Sequence, residues 1–221
     1  MHAMLRLYED IIANDAALTF RLPPLPRMIF VVHGSATIGG RSVGDGETWH
    51  GEDAVTLTPG PSGVTCWRWE LVRADAAEAV GATPGVITHD KISALLDTLP
   101  KGELLIRGDS VGFPPGGCAY LHKHQGPGIR CLIEGGIRID THGRSTSYGP
   151  GGAWYESGPE PVFAQAATDR PSRFIRVMIL PRALVGKSSI QYVNEADKTK
   201  PRVQQYKIYV DAPIVFTLSN K

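Results

Sequence analysis

Glycine and proline separate short runs of β-forming residues along this chain, and that punctuation constrains its fold more than any other feature. The 221 residues include 25 glycines and 17 prolines, which fall between segments rich in valine, isoleucine, leucine, threonine and aromatic residues. Such a pattern is typical of turns between many short strands. The clearest segments are residues 28–34, 54–60, 64–72, 128–136, 135–140 and 173–181. The sequence therefore predicts an all-β protein.

Two stretches have the pattern of a helix, and both lie in the middle of the chain. Residues 73–81 are rich in alanine and end in glycine. Residues 89–100 have an amphipathic spacing, with Asp90 as a candidate N-cap and Pro100 as a stop. Because strands are expected on both sides, we predict two β domains joined by a short, partly helical linker at 74–100, not an alternating α/β sheet.

Composition and charge limit the kind of partner that the chain can have. Hydrophobic residues make up 42% and charged residues 20%, and the net charge is +1. Such a chain can build a core, and it has no global field to attract nucleic acid or an anionic membrane. Its three cysteines, Cys66, Cys118 and Cys131, are widely spaced and odd in number, which favours reduced thiols. We expect a cytoplasmic protein whose partner is a small-molecule ligand.

The segment most informative about chemistry is 116–136, GGCAYLHKHQGPGIRCLIEGG. Successive residues of a strand face opposite sides, so His122 and His124 should face the same side, where two imidazoles can hold one divalent metal ion. The alternative is a pair of buried histidines that hydrogen-bond to each other without a metal. Gly116 and Gly135 flank the pair and would form the turns at the ends of the hairpin. The segment resembles the first motif of the cupin superfamily, G-x5-H-x-H-x3-E-x6-G.

Two of the four metal ligands usual in cupins are absent from this sequence. The second cupin motif can be placed from Gly151, which leaves a minimal spacer after the first. Gly128 stands where the metal-binding glutamate of the family belongs, and Val162 stands where the histidine of the second motif belongs. The resemblance therefore implies a barrel whose metal site is incomplete unless another residue substitutes.

The first half of the chain resembles a cupin barrel more loosely. Residues 27–49 have the strand, turn and strand pattern that follows the metal-binding strand of a cupin. Gly34 matches the last glycine of the motif. Arg27 then falls at the glutamate position, and Pro23 and Arg21 fall at the two histidine positions. The resemblance implies a first barrel without metal ligands, with a role in packing, in dimerisation or as a pocket wall, and we expect a homodimer. The predicted organisation is a degenerate double-stranded β-helix barrel at 1–73, the linker at 74–100, the second jelly-roll-like barrel at 101–181 and a C-terminal extension at 182–221 that covers the barrels or exchanges strands between them.

Glu156 is our first candidate for a substitute ligand, because it lies on the strand expected beside the missing histidine. With His122 and His124 it would complete a two-histidine, one-carboxylate site for a single divalent iron, manganese, nickel or zinc ion, with positions left open for substrate or oxygen. The alternative is that Glu156 caps a turn at the barrel rim. Gln125 is a second candidate, although it neighbours His124 and should face the other side, and Tyr155 and Gln165 are weaker candidates.

Arg130 shares the strand parity of Gly128 and should face the barrel interior, where the glycine would leave space. A buried arginine requires an anion, which could be a substrate carboxylate held by two hydrogen bonds. Tyr155 is the other candidate substrate-binding residue. The alternatives for Arg130 are an internal ion pair with Glu134 or Glu156, or a place on the outer face of the barrel.

Three functions are compatible with these residues. The first is a metal-dependent cupin enzyme that acts on a small organic molecule, carboxylated or ring-bearing, with dioxygenase chemistry favoured because two histidines and one carboxylate suit iron(II). The second is a small-molecule binding or sensing bicupin that has lost its metal and has no catalytic activity. The third is an interaction protein that uses its barrels for oligomerisation.

Gly186-Lys187-Ser188 resembles the end of a phosphate-binding loop. Pro181 stands where that loop needs its first glycine, and no strand-loop-helix pattern surrounds it. We therefore do not predict nucleotide binding there.

Overall fold

A computed structural model describes residues 2–15, 18–76 and 83–218. Its regular secondary structure is almost entirely β-strand, as the spacing of glycines and prolines in the sequence predicts. The strands are β1 (Ala3–Ile12), β2 (Phe20–Leu22), β3 (Arg27–Ile38), β4 (Arg41–Gly44), β5 (Thr48–Gly51), β6 (Val55–Arg73), β7 (Val86–Leu95), β8 (Leu104–Phe113), β9 (Cys118–His124), β10 (Gly128–Glu134), β11 (Ile137–Thr141), β12 (Arg144–Tyr148), β13 (Ala153–Glu156), β14 (Val162–Ala166), β15 (Ser172–Pro181), β16 (Ile190–Tyr192) and β17 (Gln205–Ile214). Short 3-10 helices span Arg182–Leu184 and Glu195–Thr199. Within the described ranges, no helix is long and apolar enough to cross a membrane.

The chain divides into two compact units. The first contains Met1–Leu95 together with Val215–Lys221, and the second contains Leu96–Ile214. In the first unit the strands pair antiparallel in the order β4-β3-β6-β1-β7, with β2 added to β6 and β5 added to β3. The second unit has two sheets, β13-β10-β15-β8-β17 and β12-β11-β14-β9-β16. The path β5-β3-β6-β1-β7 thus repeats in the second unit as β13-β10-β15-β8-β17.

The helix predicted over 89–100 is wrong, because Val86–Leu95 forms β7. This strand pairs antiparallel with β1 along its whole length, with a register shift between Leu7 and Tyr8. Most side chains of β7 are exposed to solvent. The apolar residues whose spacing suggested one buried face of a helix therefore do not have to lie on a single face. Hydrogen bonding to the open edge of β1 outweighs local propensity here. Of the other predicted helix, 73–81, Arg73 ends β6, and residues 77–82 lie outside the described part of the chain.

Two glycines lie at equivalent places in the two units, Gly34 at a register shift within β3 and Gly135 in the connection between β10 and β11. Gly34 has a φ of 84° and Gly135 a φ of 83°, in the left-handed region that favours glycine. A Cβ atom on Gly34 would lie 2.3 Å from the carbonyl oxygen of Gly63, and one on Gly135 would lie 2.2 Å from that of Pro171. Both positions therefore require glycine, which explains why the last glycine of the cupin-like pattern is present in both halves.

Buried charges line part of the interior of the first unit. Arg27 Nε lies 2.9 Å from Glu70 Oε1, Arg68 Nη1 lies 2.8 Å from the same oxygen, and Arg68 Nε lies 2.7 Å from Asp10 Oδ2. All four side chains are at most 2% exposed. The residue at the family's glutamate position, Arg27, is therefore a member of a chain of ion pairs that alternates in sign.

Candidate functional site

His122 and His124 lie on β9 with both side chains buried and facing the same side of the strand, as their spacing predicts. Their Nε2 atoms are 3.2 Å apart. Both line a cavity of about 20 Å³ inside the second unit, whose other polar walls include Arg130, Glu156 and Arg176. That volume is enough for one water molecule or one ion. We call it the histidine cavity.

Hydrogen bonds at the outer nitrogens hold the two imidazoles. His122 Nδ1 lies 2.7 Å from the carbonyl oxygen of Tyr120, which can only accept, so Nδ1 carries the proton and donates it. The lone pair of the neutral ring is then on Nε2, which faces the cavity. His124 Nδ1 lies 3.3 Å from Ser189 Oγ. Burial lowers the pKa of both histidines, and for His124 the positive charges of Arg176 and Arg130 lower it further, so both rings are neutral at pH 7.

Glu156 lies on β13 with its carboxylate inside the barrel and only 9% of its side chain exposed. Trp154 Nε1 donates a hydrogen bond of 2.9 Å to Glu156 Oε1. The other oxygen, Oε2, is 2.7 Å from Arg130 Nη2 and 3.7 Å from His124 Nε2. Glu156 is thus directed at the cavity and does not cap a turn at the rim.

Arg130 is buried inside the barrel and forms an ion pair with Glu156, one of the alternatives that the sequence leaves open. Its Nη1 donates a hydrogen bond of 2.7 Å to the carbonyl oxygen of Gly128. Burial lowers the pKa of Arg130 to about 10, so it stays charged at pH 7. Arg130 Nη2 and Glu156 Oε2 make a close contact without hydrogen-bond geometry, and neither atom has a hydrogen-bond partner among the described residues. Each can still accommodate a further partner in the cavity.

The expectation that Gly128 leaves space for a lost ligand is wrong. A Cβ atom there would lie 2.5 Å from the carbonyl oxygen of Val177, 2.8 Å from Met178 Cγ and 3.0 Å from Arg130 Nη1. Gly128 is paired with Met178 on one side and with Glu156 on the other. The side chain of Arg130 and the adjacent strand fill the room that a glutamate would need.

Gly128→Ala is therefore expected to lower the free energy of unfolding by about 1–3 kcal/mol, because it overpacks the barrel wall against backbone atoms. Gly149→Ala is the matched control, since a Cβ atom at Gly149 meets nothing within 4 Å and its φ is not positive. Urea denaturation of both variants measures the difference. Equal stability of the two variants would show that the wall at Gly128 can relax.

The remaining sequence candidates lie away from the cavity, with one exception. Val162, at the missing histidine, is paired directly with His122 and lines the cavity. Tyr155 faces the opposite side from Trp154 and Glu156 and contacts Thr98. The Gln165 side chain donates a hydrogen bond of 2.7 Å to the carbonyl oxygen of Gly116. Gln125 does not line the cavity, and its backbone N–H donates to the carbonyl oxygen of Ser189.

Sequence reasoning missed Arg176, Asp109 and Ser189. Arg176 Nε and Nη2 lie 2.9 and 2.7 Å from the two carboxylate oxygens of Asp109, a buried bidentate pair beside the cavity. The alternation of residues 173–181 indicates that Arg176 faces inward with Phe174 and therefore could have identified it. No local pattern marks Ser189, which reaches His124 from outside the motif.

The donor atoms fit a metal ion only in part. The Nε2 atoms of His122 and His124 face a cavity of ionic size. Glu156 also lines this cavity, and its Oε2 atom has no hydrogen-bond partner among the described residues. Within the residues that the structure describes, however, no group of three histidine, cysteine, aspartate or glutamate side chains is already assembled to hold a metal. The oxygen of Glu156 would have to be shared between the metal and Arg130.

Comparison with known proteins shows the fold. No protein-family model and no curated protein matches the chain. Among solved structures, a deletion mutant of the oxalate decarboxylase OxdC of Bacillus subtilis, a bicupin, matches with 13% identity and a TM-score of 0.55, over 90% of this chain and 70% of that chain. The chain has the bicupin fold. AerE from Microcystis aeruginosa matches with 13% identity and a TM-score of 0.57, over 81% of this chain and 88% of that chain.

A second oxalate decarboxylase structure, described by its substrate binding mode, matches with 13% identity and a TM-score of 0.58, over 89% of this chain and 73% of that chain. At such identities the likeness concerns the cupin fold alone, and function depends on the residues of the site.

Proposed function

We propose that the second barrel is a metal-dependent cupin enzyme that acts on a small organic acid. One divalent iron, manganese, nickel or zinc ion would be held by His122, His124 and Glu156. The observation that carries the proposal is the separation of 3.2 Å between the two Nε2 atoms. Two nitrogens that each lie about 2.1 Å from one ion, at an angle of about 90–110°, are about 3.0–3.4 Å apart. The imidazoles thus have the spacing of neighbouring ligands. The same distance also fits a hydrogen bond between the two rings, which is what the metal-free candidate below requires.

The chain's own residues prepare this site in three ways. The carbonyl oxygen of Tyr120 fixes the tautomer of His122, and Ser189 contacts the outer nitrogen of His124, as outer hydrogen-bond partners of metal-binding histidines do. Arg130 offsets the charge of Glu156. Apolar side chains, including Val162, close the remaining walls and exclude bulk water.

When bound by two histidines and one carboxylate, a metal ion offers open positions for dioxygen or an acid group, which favours dioxygenase-type chemistry in this proposal. The histidine cavity holds one ion or water, so an organic substrate must approach from beside it.

A second candidate is a bicupin without metal that binds a small molecule and catalyses nothing. It is favoured by the contact of 2.7 Å between Arg130 and Glu156, which satisfies both charges without a metal. Two buried arginines also lower the pKa of His124, and the same positive charges oppose the entry of a cation.

Metal analysis separates the two candidates. Protein purified without an affinity tag is expected to contain about one transition-metal ion per chain, because His122, His124 and Glu156 would form a single site. His122→Ala and His124→Ala should each lose that ion, because one imidazole and a shared carboxylate are too few ligands. His33→Ala is the control, since His33 lies on the first unit with 79% of its side chain exposed. Elemental analysis by mass spectrometry gives the metal content of each variant, and circular dichroism checks that each is folded.

Absence of metal in the wild-type protein, even after anaerobic addition of iron, manganese, nickel and zinc, would refute the enzyme proposal and leave the metal-free candidate. Retention of the ion in both histidine variants would show that it is bound elsewhere.

A further inference from the structure

A second cavity of about 270 Å³ opens beside the histidine cavity, at the edge of the second barrel. Its walls come from β16 and β17, the edge strands of the two sheets, and from residues 186–189 of the C-terminal extension. These residues include the Gly186-Lys187-Ser188 sequence, which has no nucleotide-binding context. The volume is near the lower end of the range for small-molecule sites, about 300 Å³. We call it the edge pocket.

The lining of the edge pocket is positive overall. Four cationic side chains and one carboxylate line it. Arg107 is paired with Asp211 at 2.8 Å and also donates to two backbone carbonyls, so its role is structural. Arg176 is held by Asp109.

The other two cations, Lys187 and Arg202, are exposed at the mouth of the edge pocket. Neither has a carboxylate within ion-pair distance in the described part of the chain. A positive pocket with uncommitted cations attracts an anion.

The edge pocket also has aromatic and apolar walls. Tyr192, Tyr206 and Ile208 line it, and Tyr206 and Ile208 are 46% and 58% exposed. The guanidinium of Arg202 lies 5.4 Å from the centre of the Tyr192 ring. Burial around the hydroxyl group of Tyr206 raises its pKa, so the phenol stays protonated and can donate a hydrogen bond at pH 7. Partly exposed rings beside cations suit a ligand that combines a flat apolar body with an anionic group.

The two cavities share a wall. Arg176, Ile190 and Tyr206 line both of them. Ser189, which also lines the edge pocket, contacts His124 Nδ1 at 3.3 Å. A molecule in the edge pocket would therefore lie next to the histidine pair without entering a cavity too small for it.

From these observations we infer that the edge pocket binds a small aromatic carboxylate. Lys187 and Arg202 would bind its carboxylate, and Tyr192 and Tyr206 would contact its ring. If the edge pocket is a substrate site, the inference rests on the proposed function. That the pocket binds this class of molecule depends only on the residues that line it.

Titration of the full chain with benzoate tests the inference, with binding followed by NMR chemical shifts or calorimetry. We expect saturable binding with a dissociation constant of about 1 mM or lower, equivalent to about −4 kcal/mol or better. Benzamide, which keeps the ring and lacks the charge, and acetate, which keeps the charge and lacks the ring, should each bind at least about tenfold more weakly.

The double variant Lys187→Gln/Arg202→Gln should weaken benzoate binding by about tenfold or more, because it removes both cations that have no paired carboxylate. The control Lys101→Gln/Arg170→Gln changes two exposed cations elsewhere in the same unit and should leave binding unchanged.

The inference is overturned if benzoate shows no saturation up to about 50 mM, if benzamide or acetate binds equally well, or if the Lys187→Gln/Arg202→Gln variant binds benzoate like the wild type. Failure of the metal proposal gives a different result, because protein without metal, including His122→Ala, should still bind benzoate. Conversely, the Lys187→Gln/Arg202→Gln variant should keep the metal content of the wild type.

Discussion

Glu156→Gln is expected to lower the free energy of unfolding of the second unit by about 3–5 kcal/mol, because it leaves a buried arginine without its counter-charge. Glutamine keeps the size of the side chain and an oxygen for the hydrogen bond from Trp154 Nε1. It removes the negative charge 2.7 Å from Arg130 Nη2. Arg130 is 1% exposed, and the single water for which the histidine cavity has room would be a neutral partner without the charge of the carboxylate. Urea denaturation gives the size of the loss, and hydrogen exchange along β10 and β13 locates it.

The double variant Arg130→Met/Glu156→Gln is expected to recover most of this loss, since it removes both charges and leaves neither buried alone. Arg173→Met is a surface control on the same sheet. Arg173 pairs with Glu134 at 2.9 Å, but the pair is about a third to a half exposed, so the loss should be about 0.5 kcal/mol or less. A Glu156→Gln variant no less stable than Arg173→Met would contradict the assigned role of the buried pair.

The single variant Arg130→Met, compared with the double variant Arg130→Met/Glu156→Gln, shows whether Glu156 is a ligand. Arg130→Met frees Glu156 Oε2 from its ion pair, so an added metal ion should raise the unfolding midpoint of this variant if the carboxylate binds metal. The double variant, which lacks the carboxylate, should then respond less. Equal shifts in both variants would mean that the histidines hold the ion without Glu156, and no shift in either would favour the metal-free candidate.

The fold was predictable because its strongest constraints are local. Gly34 and Gly135 stand at backbone positions of positive φ that no other residue can occupy without a clash, and alternation within the strands identifies their inner faces. The strand at Val86–Leu95 was not predictable in this way. Its spacing resembles a helix face, and only the open edge of β1, which forms from distant residues, converts it into a strand.

The site was predictable only where strand parity decides it. Parity places His122, His124 and Arg130 inside the barrel, and the structure shows all three buried. Parity could not choose between Glu134 and Glu156 as the partner of Arg130, since that depends on which strand lies beside it. The structure pairs Glu134 with Arg173 at the surface and Glu156 with Arg130 inside. The edge pocket comes from the extension after Pro181, whose strands have no motif of their own. Dimer formation and a cytoplasmic location stay predictions.

Arg68→Met is expected to destabilise the first unit by about 3–5 kcal/mol or more, a large part of the total stability of about 5–15 kcal/mol of a typical domain. Arg68 lies between two buried carboxylates, at 2.7 Å from Asp10 and 2.8 Å from Glu70. Its guanidinium also lies 4.5 Å from the centre of the Tyr8 ring. After the substitution Glu70 keeps Arg27, but Asp10 keeps only neutral partners such as the hydroxyl of Thr88. For a unit of this size the melting temperature should fall by about 15 °C or more.

The double variant Asp10→Asn/Arg68→Met tests the reason for that loss. It leaves the ion pair between Arg27 and Glu70 in place and no buried charge alone, so it should be clearly more stable than Arg68→Met. Arg41→Met, on an exposed position of β4, should leave the melting temperature unchanged. If the double variant is no more stable than Arg68→Met, lost packing and not an unpaired carboxylate explains the effect. The metal content of these variants should equal that of the wild type, because Asp10, Arg41 and Arg68 do not line the histidine cavity.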